Sequence, residues 1–121
     1  MDTATPSAPA RATLRAFQRI RSGKDFQRVY AARKSIRAAE LTIAYCPNGL
    51  AFSRLGLSVG RVHGNAVRRN RIKRVFRAAF REARHALPAG FDYVLIPRKG
   101  VVEYASAAVK AALIAAAKKI L

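Results

Sequence analysis

This sequence predicts an α+β fold, an α-β sandwich on a small sheet, and three features of its apolar pattern predict it. Between Leu41 and Val59, apolar side chains alternate with polar or small ones over two stretches, the period of half-buried strands. Tyr93-Val94-Leu95-Ile96 is apolar at every position, as a central strand covered on both faces requires. Around these runs lie stretches whose apolar residues recur every three or four positions, the period of amphipathic helices. The resulting order is helix-strand-strand-helix-strand-helix.

Residues 1–14 include the stretch Asp2–Ala12 (DTATPSAPARA), which offers nothing to bury. A disordered N-terminal tail is expected there, with one folded domain over residues 15–121. Arg11, Arg15, Arg19 and Arg21 stand where the end of the tail can add sequence-independent phosphate contacts. Ser22 is the N-cap of a helix expected over Lys24–Arg33, with Asp25 in the first turn, where the helix dipole favours an anion. Phe26, Val29, Tyr30 and Arg33 share one side of it. Leu41, Ile43 and Tyr45 then alternate with Thr42, Ala44 and Cys46 in a first strand. Pro47-Asn48-Gly49 is turn chemistry. A second strand, Phe52–Val59, sends Leu55, Leu57 and Val59 to one face and Arg54, Gly56 and Ser58 to the other. The two strands are expected to pair as an antiparallel hairpin.

A long basic helix follows, entered through Gly64-Asn65 with Asn65 as its cap. Ile72, Val75, Phe76, Ala79, Phe80, Ala83 and Leu87 form its apolar stripe, which places Phe76 and Phe80 in the core. Asn70, Lys73, Arg74, Arg77, Arg81 and Arg84 fall roughly opposite. Arg68 and Arg69 fall on neither stripe, so the start of the helix is expected to project past the sheet edge. Pro88-Ala89-Gly90 ends it, and Phe91–Ile96 (FDYVLI) is the central strand. After Pro97-Arg98-Lys99-Gly100, an Ala-rich helix over residues 104–120 buries Val109, Leu113, Ala116, Ala117 and Ile120.

Charge narrows the function. Against 24 Lys and Arg stand 6 Asp and Glu, a formal net charge of +18 over 121 residues. That excess exceeds what solubility needs and points to a polyanionic partner. The segment Arg61–Arg84 alone holds nine basic side chains against one acid, Glu82. Arginine offers a planar fork of donors that matches phosphate oxygens. No apolar run approaches a membrane span, no secretory h-region follows Met1, and the lone Cys46 excludes an internal disulfide, so a cytoplasmic protein with no membrane partner is expected. His63, His85 and Cys46 lack the number and spacing of a metal set. Asp25, Glu40, Glu82, Asp92 and Glu103 are scattered and form no acid/base pair, with Asp25 read as helix-start electrostatics and Glu82 as at most a partner of Arg81 or Arg84. No nucleophile motif is present.

At Gly64–Arg74 (GNAVRRNRIKR) the chain closely resembles the Arg-Asn-Arg signature of the protein subunit of bacterial ribonuclease P, here Arg69-Asn70-Arg71. Three further stretches resemble that family in its order and spacing: Asp25–Tyr30 (DFQRVY), Arg54–Val59 (RLGLSV) and Asp92–Arg98 (DYVLIPR). Three departures are visible: Arg61-Val62-His63 stands where a basic pair is usual before the Gly-Asn, Tyr30 stands where Phe is common, and the Pro- and Ala-rich N-terminus is longer than the role requires. The resemblance implies a left-handed β-α-β crossover through the basic helix, against the general right-handed rule. It also implies a protein cofactor of a ribozyme, with ribonuclease P RNA and precursor tRNA as partners and no DNA. Catalysis would belong to the RNA, with Mg²⁺ bound mainly by the RNA subunit, no cofactor bound by the protein alone and no catalytic residue in the polypeptide. Contacts to the catalytic RNA are expected from Asn65, Arg68, Arg69, Asn70, Arg71, Lys73, Arg74, Arg77 and Arg81. The 5′ leader is expected in a cleft lined by Phe26, Tyr30, Arg54 and Ser58, its bases stacking on the two rings. The competing reading, resting on charge alone, is a general basic RNA-binding or ribosomal-type protein without a ribozyme partner. A DNA-binding helix-turn-helix fits poorly, because the basic helix lies between strands rather than after a helix and short turn.

Overall fold

The computed structural model describes residues 18–120 apart from Val102, so the expected tail over residues 1–14 lies outside the described residues. Helix α1 spans Gly23–Ala31 and is capped by Ser22, whose hydroxyl accepts from the Asp25 amide at 3.1 Å. It stops short of Arg33 because that residue adopts φ 55°, a left-handed conformation through which a right-handed helix does not continue. A strand with no sequence signature follows, β1 (Ser35–Arg37), too short at 3 residues to show a period. It pairs antiparallel with β2 (Leu41–Pro47). Then come β3 (Arg54–Leu57), a 3₁₀ turn at Arg61–His63, α2 (Ala66–Ala83), β4 (Phe91–Pro97) and α3 (Ser106–Ile120).

The sheet order is β1-β2-β4-β3, which corrects the expected hairpin: β2 and β3 are not paired. β4 lies between them, antiparallel to β2 and parallel to β3. Its composition gives the reason. Tyr93, Val94 and Leu95 are all fully buried, and only the middle of the sheet covers both faces of a strand. The turn after β2 does form, with Gly49 at φ 74°, but it opens wide enough to admit β4. The Asn48 amide donates to the Gly90 carbonyl at 2.9 Å and the Asn48 side chain to the Phe52 carbonyl at 3.1 Å, fastening the loop to the start of β4. β3 and β4 are thus parallel neighbours joined through α2.

The two faces of the sheet are unequal. Leu41, Ile43, Leu55, Tyr93 and Leu95 meet Ile72, Phe76, Ala79 and Phe80 of α2 and Val109 and Leu113 of α3 in the main core. On the opposite face Ala44 and Val94 meet Val29 of α1 and Ile20, with Phe26, Cys46 and Ile96 packed around them. α1 therefore covers only part of its face. Ahead of it, the Ile20 amide donates to the Leu55 carbonyl at 2.9 Å, so the chain enters the fold along the outer edge of β3.

Candidate nucleic-acid interface

The Asn65 side chain accepts from the Arg68 amide at 3.0 Å and starts α2 as the sequence implied. Gly64, at φ 112°, makes the preceding corner; a Cβ there would lie 2.9 Å from Arg68 Cδ. From this start the helix sends Ile72, Phe76, Ala79, Phe80 and Ala83 into the core. Asn70, Arg71 and Arg74 are exposed, and Lys73, Arg77 and Arg81 are half-buried beside them. Arg68 and Arg69 are also half-buried and turned to local work: Arg68 Nη2 donates to the Val101 carbonyl at 2.8 Å and Arg69 Nε to the Gly64 carbonyl at 3.2 Å. Glu82, expected to pair at most within its own helix, instead meets Lys110 of α3 at 3.4 Å, the longer reach of a helix-helix contact.

The other half of the interface is the partly covered sheet face. Phe26 is half-buried and Tyr30 is 42% exposed, with ring centroids 6.5 Å apart on the rim of α1. Phe26 lies against β3 because Gly56 has no side chain: a Cβ there would fall 2.7 Å from Phe26 Cζ. Ser58 is half-buried just past the end of β3, its amide donating to the Leu95 carbonyl at 3.0 Å. The aromatic cleft and the basic helix are neighbours across the edge of β3. A recess of about 160 Å³ there is lined by Phe26, Gly56 and Leu57 together with Arg19, Lys73 and Arg77. Desolvation, then the nearby charge of Arg19, lowers the Arg77 pKa from its ordinary value.

Arg54 sits in a network that the sequence did not reveal. Asp92, fully buried, receives Arg54 Nε at 2.8 Å and Arg54 Nη2 at 2.6 Å, one donor on each carboxylate oxygen. Arg28 Nη2 bonds the same carboxylate, and Asn48 Nδ2 adds a donor at 2.9 Å. Burial would push the Asp92 pKa up; hydrogen bonds from Arg54 and Asn48 and the charges of Arg54 and Arg28 outweigh it and hold the carboxyl below its ordinary range. The Asp92 hydrogen bond raises the Arg54 pKa in turn. Asp25 adds a second carboxylate 3.6 Å from Arg54 and 3.8 Å from Arg28. Two of the acids taken as scattered, Asp25 and Asp92, are thus gathered, but around guanidiniums, as an internally neutral cluster; Glu40, Glu82 and Glu103 lie outside it. The effect of the cluster is to hold the Arg54 guanidinium in one orientation, in a depression shared with Arg19, Arg21, Asp25 and Phe52 rather than in the recess at Phe26. The signal available in the sequence was an acid opening an otherwise apolar strand, on the same side as Val94 and Ile96.

Among the described residues no group of three or more His, Cys, Asp or Glu is placed to hold a metal ion, and no helix is long and apolar enough to cross a membrane. Asp25 and Asp92, the nearest approach to a carboxylate pair, have their oxygens occupied by arginine.

A basic α+β domain with a guanidinium-bearing helix face is the class that this fold and surface define. The Ribonuclease P family profile matches residues 14–121. The ribonuclease P protein component of Thermotoga maritima is 41% identical over 86 residues, 71% of this chain and 74% of its own length. Its solved structure superposes with a TM-score of 0.76 at 34% identity, covering 85% of this chain and 97% of that one. The Staphylococcus aureus RNase P protein gives 0.71 at 31% identity, covering 85% and 94%. The chain belongs to the ribonuclease P protein family.

Proposed function

We propose that this protein is the cofactor of the ribonuclease P ribozyme, binding its catalytic RNA and the 5′ leader of precursor tRNA so that the leader is removed to give the mature 5′ end. The observation that carries the reading is the adjacency of two surfaces across β3: an aromatic cleft and a helix face of guanidiniums, joined by the recess with Arg19, Lys73 and Arg77. One strand of RNA can stack its bases on Phe26 and Tyr30 while its phosphates run toward α2. Asn70, Arg71 and Arg74, exposed on α2, meet the backbone of the catalytic RNA, with Lys73, Arg77 and Arg81 beside them. Arg68 and Arg69 shape the start of the helix as well as adding charge. Arg54, saturated by Asp92, offers the leader its guanidinium face rather than a free positive charge.

Hydrolysis belongs to the RNA, which holds the Mg²⁺ that the reaction uses. The protein's residues orient substrate and offset phosphate repulsion, and this lowers the Mg²⁺ needed. The partners are ribonuclease P RNA and precursor tRNA, in the cytoplasm, and the folded domain over residues 15–121 carries the binding surfaces. The test is leader cleavage at low Mg²⁺ by a bacterial ribonuclease P RNA with and without the protein. Wild type is expected to restore cleavage, Arg71→Ala/Arg74→Ala to restore it weakly, and Phe26→Ala/Tyr30→Ala to lose preference for substrates with a leader. Tight, salt-sensitive binding with no restored cleavage would leave a general basic RNA binder.

A further inference from the structure

A second cavity flanks α2 on a side of the helix distinct from Lys73 and Arg77. It has a volume of about 310 Å³ and is lined by Arg68, Arg71, Ile72 and Val75 of α2 and by Glu103 and Tyr104 ahead of α3. That volume reaches the lower end of the range for small-molecule sites. Its walls are fixed. Ile72 is buried, and Tyr104 packs edge-on against Phe76 at 5.3 Å and donates its hydroxyl to the Arg98 carbonyl. Arg68 is held at the rim by its bond to the Val101 carbonyl. Glu103 is exposed and makes no ion pair among the described residues, although two arginines line the same cavity.

This combination suits neither a phosphate nor a purely apolar group. A phosphate would be desolvated by Ile72, Val75 and Tyr104 and repelled by Glu103. A hydrocarbon would make no use of the exposed Arg71 and Glu103 at its edge. A nucleobase satisfies both demands, because its faces are apolar enough for Ile72 and Val75 and stack on a guanidinium plane, while its edge carries hydrogen-bonding groups. Glu103 can accept but not donate, which favours a base with an exocyclic amino group over uracil, whose lone N3–H donor is flanked by two carbonyl oxygens that repel a carboxylate. The arginines at the mouth would meet the phosphates on either side. We propose that this cavity takes one unstacked, amino-bearing nucleobase of the RNA whose backbone α2 holds. The inference rests on the RNA-binding reading of α2 and adds to it a site that recognises a base.

Two experiments on the full chain test it. In the first, NMR follows the Ile72 and Val75 methyls and the Tyr104 ring as adenosine and cytidine 5′-monophosphates are added, with uridine 5′-monophosphate and ribose 5-phosphate as comparisons. Shifts with the first two, weaker with uridine and absent with the sugar phosphate, are expected; Glu103→Gln, which changes no volume, should erase the preference over uridine. Equal shifts with ribose 5-phosphate would reduce the cavity to a phosphate contact, and no shifts with any nucleotide would overturn it. In the second, Ala105, an exposed residue that also lines the cavity, is replaced (Ala105→Trp) to close the mouth, and ribonuclease P RNA binding is measured across salt, with circular dichroism checking the fold. A loss of about tenfold with an unchanged salt slope is expected, as for one base contact. Arg71→Ala should instead flatten the slope by roughly 0.7–0.9 per lost phosphate contact. Full affinity in folded Ala105→Trp would overturn the base site while leaving the RNA reading intact. Failure of wild type to bind would overturn that reading, with the nucleotide titration then deciding the cavity by itself.

Discussion

Replacing Asp92 by Asn keeps the shape of the side chain and removes its charge. Arg54, 20% exposed, and Arg28, 38% exposed, would then face each other across a fully buried carboxamide. Removing one partner of a buried ion pair typically costs about 3–5 kcal/mol. Arg28 is exposed enough for water to screen most of its share. The bidentate bond from Arg54 therefore carries the effect, and the loss falls at the low end, about 3 kcal/mol. At about 4–8 °C per kcal/mol for a domain near this size, the melting temperature should drop by roughly 12–24 °C. Urea unfolding at pH 7 measures the same loss as a lower midpoint at constant slope. The pH dependence follows from the direction of the Asp92 shift. Its folded pKa lies below that of the unfolded chain, about 3.9, so its stabilisation is complete above that pH and fades as pH falls through the folded value. Wild type and Asp92→Asn should accordingly converge in acid. A loss under about 1 kcal/mol at pH 7, or a gap that persists at low pH, would refute the assignment of Asp92 as the anchor of the cleft.

Three further outcomes are expected. Gly56→Ala should displace the Phe26 ring, since the new Cβ would stand 2.7 Å from Cζ, costing about 1–3 kcal/mol in thermal melts and weakening leader binding more than catalytic-RNA binding. His63 is buried, and burial, followed by the charges of Arg68 and Lys99, lowers its pKa; its neutral form thus stabilises the fold above about pH 6.5 and that stabilisation fades as pH falls through the lowered value. His63→Gln should flatten the stability profile over that interval, and an unchanged profile would count against the burial argument. Lys110→Ala should lower the unfolding free energy obtained from urea titration by less than about 1 kcal/mol, because Lys110 and Glu82 are 40% and 54% exposed.

What the sequence made legible was local chemistry. Ser22 and Asn65 cap their helices because a cap needs only a side chain and an amide three residues on. The stripe from Ile72 to Ala83 repeats every turn, so the buried face of α2 could be read directly. Strand order could not, because alternation tells which way side chains point and not which strand lies alongside. Two adjacent strands separated by a turn read as a hairpin, although β4 arrives from far along the chain to part them. The Asp92 network escaped for the same reason: its partners Arg54, Asn48 and Arg28 are 38, 44 and 64 residues away. β1 was too short and too exposed to leave a pattern.

The place of β4 also dictates the order in which the molecule can be assembled. β2, β3 and the whole of α2 precede β4 in the chain and emerge from the ribosome ahead of it, and until β4 arrives the edges of β2 and β3 that flank it have no partner. The sheet closes in one event, when Phe91–Pro97 inserts and completes both ladders together. Released chains truncated before Phe91 should therefore lack protection in β3 and keep at most the β1–β2 pair, whereas chains extending beyond Pro97 should acquire protection in β2, β3 and β4 together.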